Sequence, residues 1–173
     1  RGPVEVAAAR PAVVFQEPAL LPWLTAVRNV ELPLRLAGVG RSARRGTARE
    51  LLDLVRLDGQ EAKRPHELSG GMRQRVALAR ALAATTVGGR EDRLMLMDEP
   101  FAALDAITRD VLQGELLRVW QATGTTVLFV THDRDLVADA ATRIFAMSKH
   151  GIEDFQGPYD EFLRKIGEVR LDR

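Results

Sequence analysis

Apolar residues recur along the chain in two spacings, and each predicts its own kind of element. Ala12-Val13-Val14-Phe15 is a short apolar run broken by Gln16-Glu17-Pro18, which predicts a buried strand running into a loop. Over residues 25–57 the spacing turns helical: Leu32, Leu34 and Leu36 lead to a Gly38-Val39-Gly40 break, and a second helix follows over about 44–55. Leu68-Ser69-Gly70-Gly71 precedes a long helical run over 72–84 in which Val76, Ala79 and Ala83 recur on one face, with Ser69 as the candidate N-cap. Leu94-Met95-Leu96-Met97 has no polar alternation and ends in Asp98-Glu99-Pro100. That is the pattern of a parallel strand buried on both faces with acids at its carboxyl end, the end where α/β proteins place ligands. A helix over about 106–122 stops at Gly124, a second buried strand follows over 126–131, and a short helix over about 135–141 leads to Ile144-Phe145-Ala146-Met147. The remainder reads as a polar tail with an amphipathic segment over 159–166. Strand, helix and strand in that order predict an α/β fold with a parallel sheet and an inserted helical subdomain.

Composition narrows the function classes. Hydrophobic residues make up 46% and charged residues 28% of 173 positions, an ordinary globular balance for one domain with a core. The 25 basic and 24 acidic residues are mixed along the chain, so its net charge of +1 gives no overall basic field for nucleic acid. There is no cysteine, which excludes disulfides and thiolate metal sites and fits a reducing cytosol. No apolar run nears the ~18 residues that span a bilayer, so any membrane connection is expected to go through a partner. The first residue is Arg1, and a missing beginning is the expectation.

Four places carry candidate chemistry. Ser69, Gly70 and Gly71 at a helix start present open backbone N–H groups and the positive end of the helix dipole, which suits a phosphate; the same residues also make an ordinary N-cap with a glycine turn. Asp98 and Glu99 after an apolar strand can divide the work of phosphoryl transfer, one holding Mg²⁺ and the other polarising a water, or can simply be solvated acids at a strand end. His132 follows another apolar strand, and Gln16 follows the first one; alone, each is as readily structural.

Their order joins them. The run Val14-Phe15-Gln16-Glu17-Pro18-Ala19-Leu20-Leu21-Pro22-Trp23 resembles the glutamine loop of ATP-binding-cassette (ABC) ATPases of the branch serving nitrate, sulfonate and taurine importers. Residues 68–74 resemble the family signature, 94–99 its Walker B strand, Ala103-Leu104-Asp105 its D-loop and Thr131-His132-Asp133 its switch. The resemblance covers about residues 12–148. It implies a P-loop NTPase (RecA-like) parallel sheet, here N-terminally truncated, in one domain: strand 12–16, helical subdomain about 17–84, Walker B to switch core about 94–150, and tail 151–173. It implies ATP and Mg²⁺ as ligands, with Gln16 sensing Mg²⁺ and the attacking water, Asp98 supporting Mg²⁺, Glu99 as the general base or water-orienting carboxylate and His132 at the γ-phosphate. Ser69, Gly70 and Gly71 would reach ATP held by a second ATPase subunit in a head-to-tail dimer, with Asp105 joining the two sites. The implied setting is the cytoplasmic face of the cell membrane, bound to permease subunits and, through them, to a periplasmic or lipoprotein substrate-binding protein.

The sequence also departs from the family. No G-x-x-x-x-G-K-[ST] occurs, and the three lysines, Lys63, Lys149 and Lys165, lie in other contexts, so these residues alone are expected to be inactive. Residues 85–93 read as a charged loop insertion. A cassette protein without a permease and a non-catalytic remnant are the alternatives. The family's strand order implies that 12–15, 94–97 and 127–131 pair side by side while 144–147 stands apart.

Overall fold

The computed structural model describes residues 11–87, 94–101, 106–148 and 151–171. They fall into two compact units that divide between Thr131 and His132.

In the first unit the strands β1 (Ala12–Val14), β2 (Leu94–Asp98) and β3 (Thr126–Val130) make a parallel sheet in the order β1-β2-β3. Val14 pairs with Met97 and Met97 with Phe129, which fixes which side chains share a face. On the first face lie Ala12, Val14, Met95 and Met97, all buried, beneath the long helix α3 (Gly70–Thr86). On the opposite face Val13, Leu128 and Val130 are 39%, 44% and 45% exposed. The expectation that β2 is buried on both faces is met in part, since Leu94 and Leu96 are half-buried, whereas β3, expected to be buried, has Leu128 and Val130 exposed. Their apolar runs are real, but one face packs beneath α3 while the other is less buried. Continuous hydrophobicity reports the environment a strand is built for, and here half of that environment is open.

The helical subdomain is built as the spacing predicts. Thr25 caps α1 (Ala26–Leu36) by accepting from the Arg28 N–H at 3.4 Å, Gly38 takes the positive φ of 80° that the turn needs, and α2 (Arg41–Leu54) returns. Val30, Leu52, Val55, Val76 and Ala79 are fully or almost fully buried where α1, α2 and α3 meet. Ser69 is the N-cap of α3, its hydroxyl accepting from the Met72 N–H at 3.2 Å. The helix runs past its expected end at Ala84. Thr85 and Thr86 stay helical, each hydroxyl donating at 2.8 Å to a carbonyl three residues back, and Thr85 is buried. The expected insertion at 85–93 thus begins inside a helix, and residues 88–93 lie outside the described residues. Helix α4 (Ala106–Thr123) buries Leu112 and Leu116 and ends at Gly124, whose φ of 61° favours glycine.

The second unit holds α5 (Arg134–Ala140), β4 (Arg143–Ser148), β5 (Gly151–Gln156) and α6 (Tyr159–Leu171). The polar tail expected over 151–173 contains a strand that the sequence reading did not place. β5 pairs antiparallel with β4, and Arg143 spans the pair with a bidentate contact to Asp154 at 2.9 and 2.6 Å. That hydrogen bond holds the Asp154 carboxyl below the usual carboxylate range. Lys165 of α6 pairs with Glu153 at 3.0 Å, and Phe162 is buried against Phe155 at 5.7 Å between ring centres. Among the described residues β3 pairs with β2 alone and, in the second unit, β4 pairs with β5, in keeping with the expectation that 144–147 stands apart.

Candidate nucleotide-hydrolysis site

Parallel register decides what meets at the carboxyl edge of the sheet. With Val14 opposite Met97 and Asp98 opposite Val130, the chain leaves its three strands at one edge, as Phe15-Gln16, as Asp98-Glu99 and as Thr131. Gln16 and Asp98 are exposed and Glu99 is half-buried. The Glu99 N–H donates to the Val130 carbonyl at 2.8 Å, which carries the bonding one residue beyond the end of β2, and Glu99 then turns at a φ of 44°. A non-glycine residue in that left-handed region is held there by its surroundings, and such strain collects at functional sites. Pro100 and Phe101 follow, both buried, and fix the turn from below.

The glutamine-loop segment is anchored by backbone contacts that no sequence pattern announces. Gln74, on the second turn of α3, is buried and donates through Nε2 to the Phe15 carbonyl at 3.4 Å. Arg80, two turns further, donates to the carbonyls of Ala19 at 2.8 Å and Pro18 at 2.9 Å, and burial lowers its pKa. Asn29 is fully buried in α1; its Oδ1 accepts from the Leu21 N–H at 2.9 Å, and its Nδ2 lies within 3.1 to 3.3 Å of the carbonyls of Leu21, Leu24 and Thr25. The signature helix is thereby tied directly to the loop that follows Gln16. Replacing Asn29 with alanine would orphan those buried groups and is expected to cost about 1 to 3 kcal/mol of stability, read as a lower urea midpoint at unchanged slope.

The remaining candidates divide. Ser69 and Gly70 are exposed and Gly71 half-buried at the start of α3. A Cβ built at Gly70 would meet only the Arg73 guanidinium, at 3.9 Å, so packing within the chain does not require glycine there. His132 is exposed and opens the second unit, directly after Thr131; Asp133 caps α5, its Oδ1 accepting from the N–H groups of Asp135 and Leu136 at 3.1 Å. Asp105 lies outside the described residues.

The one donor the strand end offers is of a type that Mg²⁺ accepts. Mg²⁺ keeps several waters and takes one or two carboxylates together with substrate phosphates. Among the described residues no group of three or more acids or histidines forms an all-protein cage, while Asp98 offers a single exposed carboxylate at a fixed strand end.

A parallel sheet with acids at its carboxyl edge and a glycine-led helix tied to the first loop is consistent with the P-loop NTPase fold, which the ATP-binding-cassette structures named below share. The chain belongs to the ABC transporter family, whose model matches residues 4–102. It is 49% identical over 146 residues to the taurine import ATP-binding protein TauB of Burkholderia pseudomallei (strain 1710b), covering 84% of this chain and 54% of that protein. It is 53% identical over 131 residues to the protein of the same name from Pseudomonas putida (strain KT2440), covering 76% of this chain and 48% of that one. The chain thus spans about half the length of the curated relatives it matches. Among solved structures it resembles the dimeric ATP-binding cassette MJ0796 in a post-hydrolysis state bound to ADP and Pi, with 34% identity and a TM-score of 0.66 over 85% of this chain and 62% of that one. It also shares the fold of cbiO1 from Clostridium perfringens, with 24% identity and a TM-score of 0.75 over 92% of this chain and 61% of that one.

Proposed function

We propose that the complete protein carrying this chain is the ATP-binding and ATP-hydrolysing subunit of an ABC importer that takes up a small oxyanion or sulfonate. The observation that carries the reading is the joint exit of Gln16 and the Asp98-Glu99 pair at one sheet edge, with Glu99 held at a strained φ of 44°. In this reading ATP is the substrate and Mg²⁺ would neutralise charge on its phosphates when bound. Asp98 supports the metal, Glu99 accepts the proton of the attacking water, Gln16 orients that water, and His132 contacts the transferred phosphoryl group. Ser69, Gly70 and Gly71 face the nucleotide of a second copy, which the space open around Gly70 supports. Asp105 links the two copies. The relatives' names, taurine import proteins, support a sulfonate as cargo. No described helix is long and apolar enough to cross a membrane, which suits a peripheral subunit driving a separate permease. A strain deleted for the gene should lose growth on a sulfonate as sole sulfur source and regain it with the wild-type gene. Unimpaired growth and uptake across sulfonates and small oxyanions would sink the importer reading.

The permease is expected to dock beside the glutamine loop, where Trp23 is 66% exposed although its neighbours are held by Asn29. Trp23→Ala should weaken co-purification with the permease about tenfold or more, as loss of an aromatic anchor does, while changing stability by under about 0.5 kcal/mol. Equal losses in folding and association would refute this docking role.

A further inference from the structure

The mixing of charges seen along the whole chain does not hold locally. A cleft between α1, α2 and residues 61–62 is lined by Arg28, Arg35, Arg41, Arg44, Arg45 and Arg49. Two acids line it, and both are engaged: Glu31 pairs with Arg44 at 3.5 Å, and Glu61 Oε1 accepts from the Gly59 N–H at 3.3 Å. Among the described residues no ion pair or side-chain hydrogen bond is made by the other five guanidinium groups. Arg41, Arg45 and Arg49 recur every fourth residue on one face of α2, about 6 Å apart along its axis, and like charges so spaced destabilise a helix. The N-terminal end of α2 compounds the cost: its first turn contains no acid, its cap residue Gly40 supplies no side-chain acceptor, and the helix dipole there is positive. None of Gln16, Ser69, Asp98 and Glu99 lines the cleft.

We propose that this cleft is a binding site for a small soluble polyphosphate, a ligand with several closely spaced phosphoryl groups, distinct from the nucleotide-hydrolysis site. Guanidinium groups pair with phosphate oxygens in a planar, bidentate fashion. Arginines converging from two helices onto a concave surface match a compact multivalent anion better than a flat one. A bound polyphosphate would offset the repulsion among the arginines and satisfy the open end of α2.

The test is a calorimetric titration of the purified complete protein with tripolyphosphate, with a saturating non-hydrolysable ATP analogue present to fill the nucleotide site. One tripolyphosphate per chain is expected, with affinity falling steeply as salt rises. The exposed pair Arg45→Gln/Arg49→Gln should weaken it about tenfold to a hundredfold, since each lost contact is charge-assisted. Arg28→Gln/Arg35→Gln reads the same site from the other helix and should do likewise, whereas Arg143→Gln in the second unit should leave it unchanged. Tripolyphosphate that fails to bind, or binds both double variants as tightly as wild type, overturns the proposal. So does binding to phosphatidylglycerol vesicles without binding to tripolyphosphate, or tighter binding to a poly-glutamate peptide. The first would mark a membrane contact and the second a site for an acidic protein segment.

Discussion

Glu99→Gln in the complete protein should lower ATP turnover about 10²- to 10⁴-fold, the range a general base contributes, while ATP binding stays intact. The substitution keeps the shape of the side chain. The backbone that places it is set by the Glu99 N–H bond to Val130 and the turn at a φ of 44°, neither of which involves the carboxylate. What is lost is the ability to take a proton from water. Nucleotide binding draws on other groups, so the variant should stall with ATP bound and accumulate as an ATP-dependent dimer. Steady-state phosphate release and gel filtration with ATP and Mg²⁺ read the two halves of this expectation separately. Normal hydrolysis, or a variant that stays monomeric with ATP and Mg²⁺, would remove Glu99 from the role of base.

The carboxyl edge that supports this assignment was legible because its signals are local. An apolar run ending in Asp98-Glu99 and a serine followed by two glycines before a helical period each state their own element, and the structure has β2 and an N-capped α3 at those places. The strand order β1-β2-β3 followed from the family resemblance, since neither periodicity nor composition specifies which strands become neighbours. The clamps on the glutamine-loop segment were not legible. Arg80 reaches back 61 and 62 residues to bare carbonyls, and a carbonyl acceptor leaves no trace in the side-chain pattern. β5 was missed for a different reason. Ile152-Glu153-Asp154 breaks the alternation expected of a strand, and the segment is held by pairing to β4 and by Arg143 and Lys165 and not by burial. The arginine cleft escaped because net charge over a whole chain says nothing about where the charges lie.

The 173 residues expressed alone are expected to show no steady Mg²⁺-dependent ATP turnover and to unfold at low temperature over a broad range. For catalysis, positioning and charge neutralisation on the phosphates supply most of the rate, and the sequence has no lysine or glycine-rich loop of the phosphate-cradling kind. The stability argument is independent of that one. Among the described residues β3 is hydrogen-bonded to β2 alone, which leaves its other edge open. Resemblance to the family assigns the place beside β3 to the phosphate-loop strand. On the open face of the sheet, Val13, Leu128 and Val130 keep two-fifths or so of their surface in water, forgoing roughly 1 kcal/mol apiece of the ~1.5 to 3 that full burial gives such side chains. Three such losses come to about 3 kcal/mol, a large share of a total stability of only ~5 to 15 kcal/mol. An exposed apolar strand at a sheet edge also invites association, so the isolated chain should bind a hydrophobic dye and aggregate on warming. A sharp, cooperative melt at high temperature without dye binding would contradict the stability half. Turnover by the pure chain that Glu99→Gln abolishes would contradict the catalytic half, and would require the phosphates to be cradled by residues other than a phosphate-binding loop.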